Sequence, residues 1–204
     1  MEKFSQVRGA AAPLLLDNVN TDQITPVVFM RSLEPDYEKA LFGRWRLAAS
    51  EAEPFVLDRP HFKRAPILVA GANFGCGSAR EVAVWALVAH GIRCIVARSF
   101  SEVFRESTLK NGVLPICLGV ADQSAFEQKV VAVDGQAAFE VDLVAQTITC
   151  PDGTVFSFAM AHNERAALLE GLDDVALTLR HRALIDAREA QIAIEQPWLQ
   201  SVRS

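Results

Sequence analysis

Residues 66–97, PILVAGANFGCGSAREVAVWALVAHGIRCIVA, pass from a short apolar stretch through a glycine-rich turn into an apolar helical pattern, then into a second apolar stretch. That order leaves few folds open. PILVA is short and bounded, as a buried strand is; residues 80–90 read as helix until Gly91 ends it; IRCIVA makes the next strand. Two strands joined through a helix run parallel, and parallel strands are covered on both faces. The rhythm continues: Ser101 stands where it caps a helix running to about residue 110, Asn111-Gly112 stops it, and VLPICL forms a further strand. An α/β core with parallel strands is therefore expected.

The flanks differ. Residues 11–16 read as a short buried strand before the turn-rich segment DNVNTDQITP, and residues 34–48 as partly helical from a start at Glu34-Pro35-Asp36. After about residue 138, AAFEVDLVAQTITCPDGTVFSF alternates apolar and polar residues and carries Pro151-Asp152-Gly153, which predicts an added antiparallel hairpin. Residues 161–196 predict a helical tail, broken near Gly171-Leu172-Asp173. No repeat, low-complexity tract or linker divides the chain, so a single domain over residues 1–204 is expected.

Composition excludes several classes. The net charge is −5, and basic residues such as Lys63, Arg64, Arg80 and Arg93 form no stripe that would follow a phosphate backbone, so no nucleic-acid partner is expected. No apolar run approaches the ~20 residues of a membrane span. The opening Met1-Glu2-Lys3-Phe4 lacks an export signal's basic and apolar regions, which makes the cytoplasm the expected compartment. The cysteines at 76, 94, 117 and 150 read as reduced thiols. No two have the spacing of a zinc knuckle or a ferredoxin cluster, so no metal or other cofactor is expected on this chain. Cys94 and Cys117 sit in apolar runs and read as core.

The glycine-rich turn carries the chemistry. A helix beginning near Ala79 points its first free N–H groups back at residues 73–78. Glycines at 71, 75 and 77 allow positive φ and close approach, which suits a carboxylate or a phosphate. No Gly-Lys-Ser/Thr follows, and GANFGCG lacks the dinucleotide spacing. Arg80 has two roles open: holding an anionic ligand, or pairing with an acid of its own chain such as Glu81. In a first helical turn its charge opposes the helix dipole by about 0.3–1 kcal/mol, which either anion offsets. Ser78 is likewise a helix cap or a reactive hydroxyl. The helix field contributes at most ~2 kcal/mol, or about 1.5 pKa units, too little to ionise a hydroxyl near neutral pH. As a base it needs backbone donors, a cation and a bound metal, and this chain supplies no metal.

NFGCGSARE (73–81) resembles the active-site turn of the small subunits of 3-isopropylmalate dehydratases, in the aconitase superfamily. NVNTDQITP (18–26), LFGRWR (41–46), FVL (55–57), SFSEVFRESTLKNGVLPI (99–116) and GLDDVALTLRH (171–181) resemble further segments of that family in order and spacing. The resemblance implies a swivelling β/β/α three-layer domain that docks on a separate large subunit carrying a [4Fe–4S] cluster. The pair would dehydrate and rehydrate a small hydroxy diacid, interconverting 2- and 3-isopropylmalate by way of isopropylmaleate in leucine biosynthesis. Ser78 matches the superfamily's catalytic serine, which takes a proton from carbon while the cluster iron takes the hydroxyl. Arg80 matches the arginine for a substrate carboxylate, and Asp22 an aspartate that orients a large-subunit group. Thr21 holds the loop, and Gly77 and Ala79 lie against the substrate. Val28 and Phe29, in the segment after Pro26, have two roles open: meeting the substrate's apolar substituent, or packing. Cys76 matches a turn cysteine that is no cluster ligand.

The chain also departs from the family pattern. Ala79 stands for a second serine that positions substrate, Asn20 for aspartate, Thr25 for isoleucine, and Val27-Val28 for Lys-Gln. These departures keep a second expectation open: the small subunit of a paralogous hydratase acting on a diacid of the citraconate, dimethylmaleate or homoaconitate type.

Overall fold

The computed structural model describes residues 1–198, which fall into two compact units, one of Met1–Gly171 and one from Leu172 onward. The first unit opens with β1 (Gln6–Gly9) and β2 (Ala11–Leu14), consecutive strands that join different sheets. Gly9 allows the tight crossing, because a Cβ there would stand 2.6 Å from ring carbons of Pro66. The next loop carries α1 (Thr21–Ile24), a 3-10 turn (Val27–Met30), α2 (Tyr37–Ala40) and α3 (Gly43–Ala48). Then come β3 (Ile67–Ala70), α4 (Glu81–His90), β4 (Cys94–Ala97), α5 (Glu102–Lys110), β5 (Leu114–Ile116) and α6 (Val120–Val133). The strands β6 (Phe139–Asp142), β7 (Thr147–Thr149) and β8 (Val155–Ser157) precede α7 (His162–Glu170). The second unit holds α8 (Asp174–Leu179) and α9 (Arg182–Glu195).

The parallel sheet has the order β2-β3-β4-β5, with Ile67 opposite Cys94 and Ala70 opposite Ala97. Every residue of β3, β4 and β5 is buried, as a sheet covered on both sides requires. Alternation along the strands sends their side chains to two cores. Leu68, Ala70, Ile95 and Ala97 meet Val84 and Leu87 of α4 together with Phe42 and Phe74. Ile67, Val69, Val96 and Ile116 meet Phe126 and Val130 of α6 and the inner face of the antiparallel sheet, Phe139, Val141 and Ile148. The result is helix, parallel sheet and antiparallel sheet in layers, the three-layer α/β arrangement that the resemblance implies.

Local readings needed several corrections. The strand expected over 11–16 stops at Leu14, and Leu16 is half exposed where the chain turns. The helical stretch expected over 34–48 is two helices, because Phe42 takes a left-handed conformation (φ 49°) between them. Helix α4 starts at Glu81 rather than near Ala79: Arg80 is extended (φ −129°, ψ 107°) and occupies the cap position. Ser78 therefore caps nothing, and Arg80 lies outside the first helical turn. Cys117 is exposed, not core, because β5 has ended at Ile116. The expected hairpin is present across the turn at Pro151-Asp152-Gly153, but β6 and β1 extend it into a four-stranded sheet of order β1-β6-β7-β8.

Helix α6 buries Gln123, Phe126, Glu127 and Val130 on one stripe. Half of that stripe is polar, so hydropathy does not reveal it. Arg98 makes the burial tolerable by donating to both Glu127 oxygens, at 2.9 and 2.6 Å, while Gln123 donates at 3.0 Å. Burial pushes the Glu127 carboxyl up, but these hydrogen bonds prevail and hold it below its ordinary value.

Candidate active site

Two loops at the C-terminal edge of the parallel sheet, after β2 and after β3, are laced together. The Asp17 carboxylate accepts from Ala72 N–H at 2.6 Å, Asn18 N–H donates to the Ala72 carbonyl at 2.8 Å, and the Asn73 amide donates to Asn18 Oδ1 at 2.9 Å. Asn20 and Gln23 cap α1 reciprocally, side chain to backbone in both directions. That cap fixes Thr21, which is buried and reaches across to the turn. Its N–H donates to the Cys76 carbonyl and its hydroxyl to the Ser78 carbonyl, both at 2.9 Å. Thr21 thus ties the first loop to the turn.

Two glycines shape the turn for different reasons. At Gly75 (φ 75°) a Cβ would stand 2.0 Å from Cγ of Phe104, whose ring lies over the backbone and packs edge-on against Phe74 at 5.5 Å. At Gly77 (φ 92°) the nearest atom would be 3.5 Å away, so positive φ alone calls for glycine. The segment after β4 braces the other side: Phe74 N–H donates to the Ser99 carbonyl and Ser101 N–H to the Phe74 carbonyl, each at 3.0 Å.

The braced turn leaves Ser78 and Ala79 exposed and Arg80 half buried. Arg80 Nη1 donates to Asp22 Oδ1 at 2.5 Å, so of the two roles open to this arginine, pairing with an acid of its own chain is realised, with Asp22 rather than Glu81. The pair occupies one arm of the guanidinium. Nε and Nη2 remain on an edge that matches a carboxylate in bidentate fashion. Backbone N–H groups of Ser78, Ala79 and Arg80 make no hydrogen bond among the described residues, and α4 adds the unpaired donors of its first turn. Partial positive charge therefore gathers beside the Ser78 hydroxyl.

Thr21, Ser78, Arg80, Ser101, Phe104 and Ser107 line a shallow cleft of about 10 Å³, room for little more than one water. Gly77 and Ala79 lie on the same wall. That volume is below the roughly 300–1,000 Å³ usual for a small-molecule site, so this surface is one face of a pocket. Ser101, Phe104 and Ser107 come from α5 and its approach, which the sequence marks only as a helix capped by Ser101. The signal available was topological: loops that follow successive parallel strands share one edge of the sheet. Val28 and Phe29 lie apart from the cleft lining, on the 3-10 turn. Val28 is half exposed, and the Phe29 ring covers Gly43, where a Cβ would come within 2.6 Å of it.

Cys76 is half buried in the turn, and all four cysteines are free. Among the described residues no group of three or more His, Cys, Asp or Glu side chains is placed to hold a metal ion, so these residues do not fit an iron–sulfur cluster. No described helix is long and apolar enough to cross a membrane.

Comparison with known proteins agrees with this fold. The profile of the Aconitase C-terminal domain matches residues 1–120, and that described as LeuD_N matches residues 128–161. The 3-isopropylmalate dehydratase small subunit of Ruegeria pomeroyi is 44% identical over 202 residues, covering 98% of this chain and 100% of its own. That of Caulobacter vibrioides is 39% identical over 204 residues, with the same coverage of both chains. A crystal structure of 3-isopropylmalate dehydratase from Methanocaldococcus jannaschii superposes with a TM-score of 0.62 at 25% identity, covering 90% of this chain and 99% of that one.

Proposed function

We propose, for a chain that belongs to the 3-isopropylmalate dehydratase small-subunit family of the aconitase superfamily, that it is the small subunit of a hydro-lyase interconverting 2- and 3-isopropylmalate. The name shared by the relatives favours this substrate over the other diacids. The observation that carries the reading is the exposed Ser78 hydroxyl beside an arginine whose plane is set by Asp22, on a turn that Thr21 pins.

In the proposed mechanism the free edge of Arg80 binds one substrate carboxylate, fixing the carbon chain against the turn. Ser78 Oγ takes the carbon-bound proton on dehydration and returns it on rehydration. The unpaired N–H groups of residues 78–80 favour the ionised form of Ser78 that accepts this proton, and the charge leaves Oγ for the substrate as the proton arrives. Asp22 orients Arg80, Gly77 and Ala79 keep the wall low enough for substrate to lie on, and Thr21 holds the Ser78 carbonyl. Val28 meets the apolar substituent once the second half of the pocket is docked, and Phe29 seats the segment that carries it. The small-subunit name of the relatives and the aconitase family match support a partner, a large subunit bearing a [4Fe–4S] cluster. That cluster would supply the Lewis acid for the departing hydroxyl. The proposed compartment is the cytoplasm.

The test is reconstitution with a cluster-loaded large subunit and assay on both isopropylmalates. Ser78→Ala is expected to lower kcat by about 10²–10⁴, the usual contribution of a general acid–base group. Its melting temperature is expected to stay put, since the side chain is exposed. Failure to assemble, or unchanged turnover by Ser78→Ala, would refute the assignment.

A further inference from the structure

We propose that Ser101 is a substrate-binding residue, its hydroxyl donating to a carboxylate of the diacid from the wall that faces the 75–80 turn. The inference rests on the functional reading above and adds a residue to it. Ser101 occupies the cap position of α5 (φ −63°, ψ 133°), where a serine side chain ordinarily accepts from an N–H two or three residues ahead. It makes no such bond. Nor does its hydroxyl bond to any other group among the described residues, although it is half buried in the lining of the Ser78 cleft. A capping serine that does not cap, turned into a cleft, is available to a ligand.

Its position is rigid. Ser101 N–H is held by the Phe74 carbonyl at 3.0 Å, and its own carbonyl accepts from Arg105 N–H at 2.9 Å. The same Phe74 leads into the turn that carries Ser78, so the two hydroxyls are mounted on one braced frame. The second carboxylate also calls for a hydrogen-bond donor there. A diacid brings two carboxylates, while Arg80 has one arm committed to Asp22 and Ala79 brings no polar side-chain atom. A neutral hydroxyl on the opposite wall gives the substrate a second anchor without adding a charge that would need a partner when the cleft is empty.

The experiment compares Ser101→Ala, Ser101→Thr and Ser101→Asp in the reconstituted pair. Affinity for 2-isopropylmalate is read by calorimetry as well as KM, kcat and melting temperature. Loss of a hydrogen bond to a carboxylate predicts a rise in KM and Kd of roughly 10-fold or more for Ser101→Ala, with kcat nearly unchanged. Ser101→Thr, which keeps the hydroxyl, should recover most of it. Ser101→Asp separates binding from capping: aspartate caps a helix as well as serine does, yet its charge opposes a dianion. Binding predicts that it raises KM further at full thermal stability. Capping alone predicts a lowered melting temperature for Ser101→Ala, none for Ser101→Asp, and unchanged KM for both, and that result overturns the proposal. An active wild-type pair with unaltered Ser101 variants refutes Ser101 alone. A pair that binds 2-isopropylmalate without turning it over refutes the assigned reaction, while the calorimetric comparison still decides Ser101.

Discussion

Asp22 and Arg80 are 58 residues apart in the chain and 2.5 Å apart in space. The contact joins the first turn of α1 to the residue that caps α4, so it ties together the two loops at the sheet edge. It also leaves Asp22 half exposed, in reach of a docking partner. An ion pair at such a position contributes little to stability, and its value lies in orientation.

Replacing Asp22 tests that role. Asp22→Asn keeps the shape and removes the charge that fixes the guanidinium. If the aspartate orients Arg80, KM for the diacid rises by about 10-fold, the size of one charge-assisted hydrogen bond. If it merely competes with substrate for the arginine, KM falls. Steady-state kinetics of the assembled pair give the direction, and a fall would remove Asp22 from the proposed site.

The two glycines of the turn predict unequal damage. Gly75→Ala must accept positive φ and also drive a methyl group into the root of the Phe104 ring, which cannot swing aside without leaving Phe74. Gly77→Ala meets only the backbone strain, about 1–2 kcal/mol for a left-handed conformation. The first variant is expected to lose roughly 1–3 kcal/mol more than the second, the range for overpacking. Denaturant midpoints of the isolated chain measure the difference.

A third prediction concerns acid. His90 is buried at the end of α4 with both ring nitrogens lacking a hydrogen-bond partner. Burial lowers its pKa below the ordinary value of about 6.5, with Arg46 and Arg64 acting the same way and Glu38 and Asp58 opposing. Just below pH 6.5 the unfolded chain binds a proton that the folded chain refuses. Stability therefore falls as pH drops through 6.5 and levels off only below the folded-state value. His90→Leu should flatten this dependence between pH 7 and 5. Thermal melts across that range, showing the same slope for variant and parent, would contradict it.

Local sequence determined the parts whose causes are local. The apolar runs at β3, β4 and β5, the stop at Gly91, the turn at Pro151-Asp152-Gly153 and the position of Ser78 within its glycine-rich turn all follow from neighbouring residues. Hydrophobic periodicity and glycine's backbone freedom act over a few residues, so a linear reading captures them. Tertiary structure decided what depends on a distant partner. Helix α6 buries Gln123 and Glu127 because Arg98, 29 residues from Glu127, satisfies the carboxylate. β1 extends the hairpin into a sheet by pairing with β6 far along the chain. Arg80 takes Asp22 rather than its neighbour Glu81, and Ser101 lines the cleft of Ser78 because successive parallel strands deliver their loops to one edge. Burying a charge or aiming a hydroxyl is settled by what lies across the gap, and only the folded chain brings that group near.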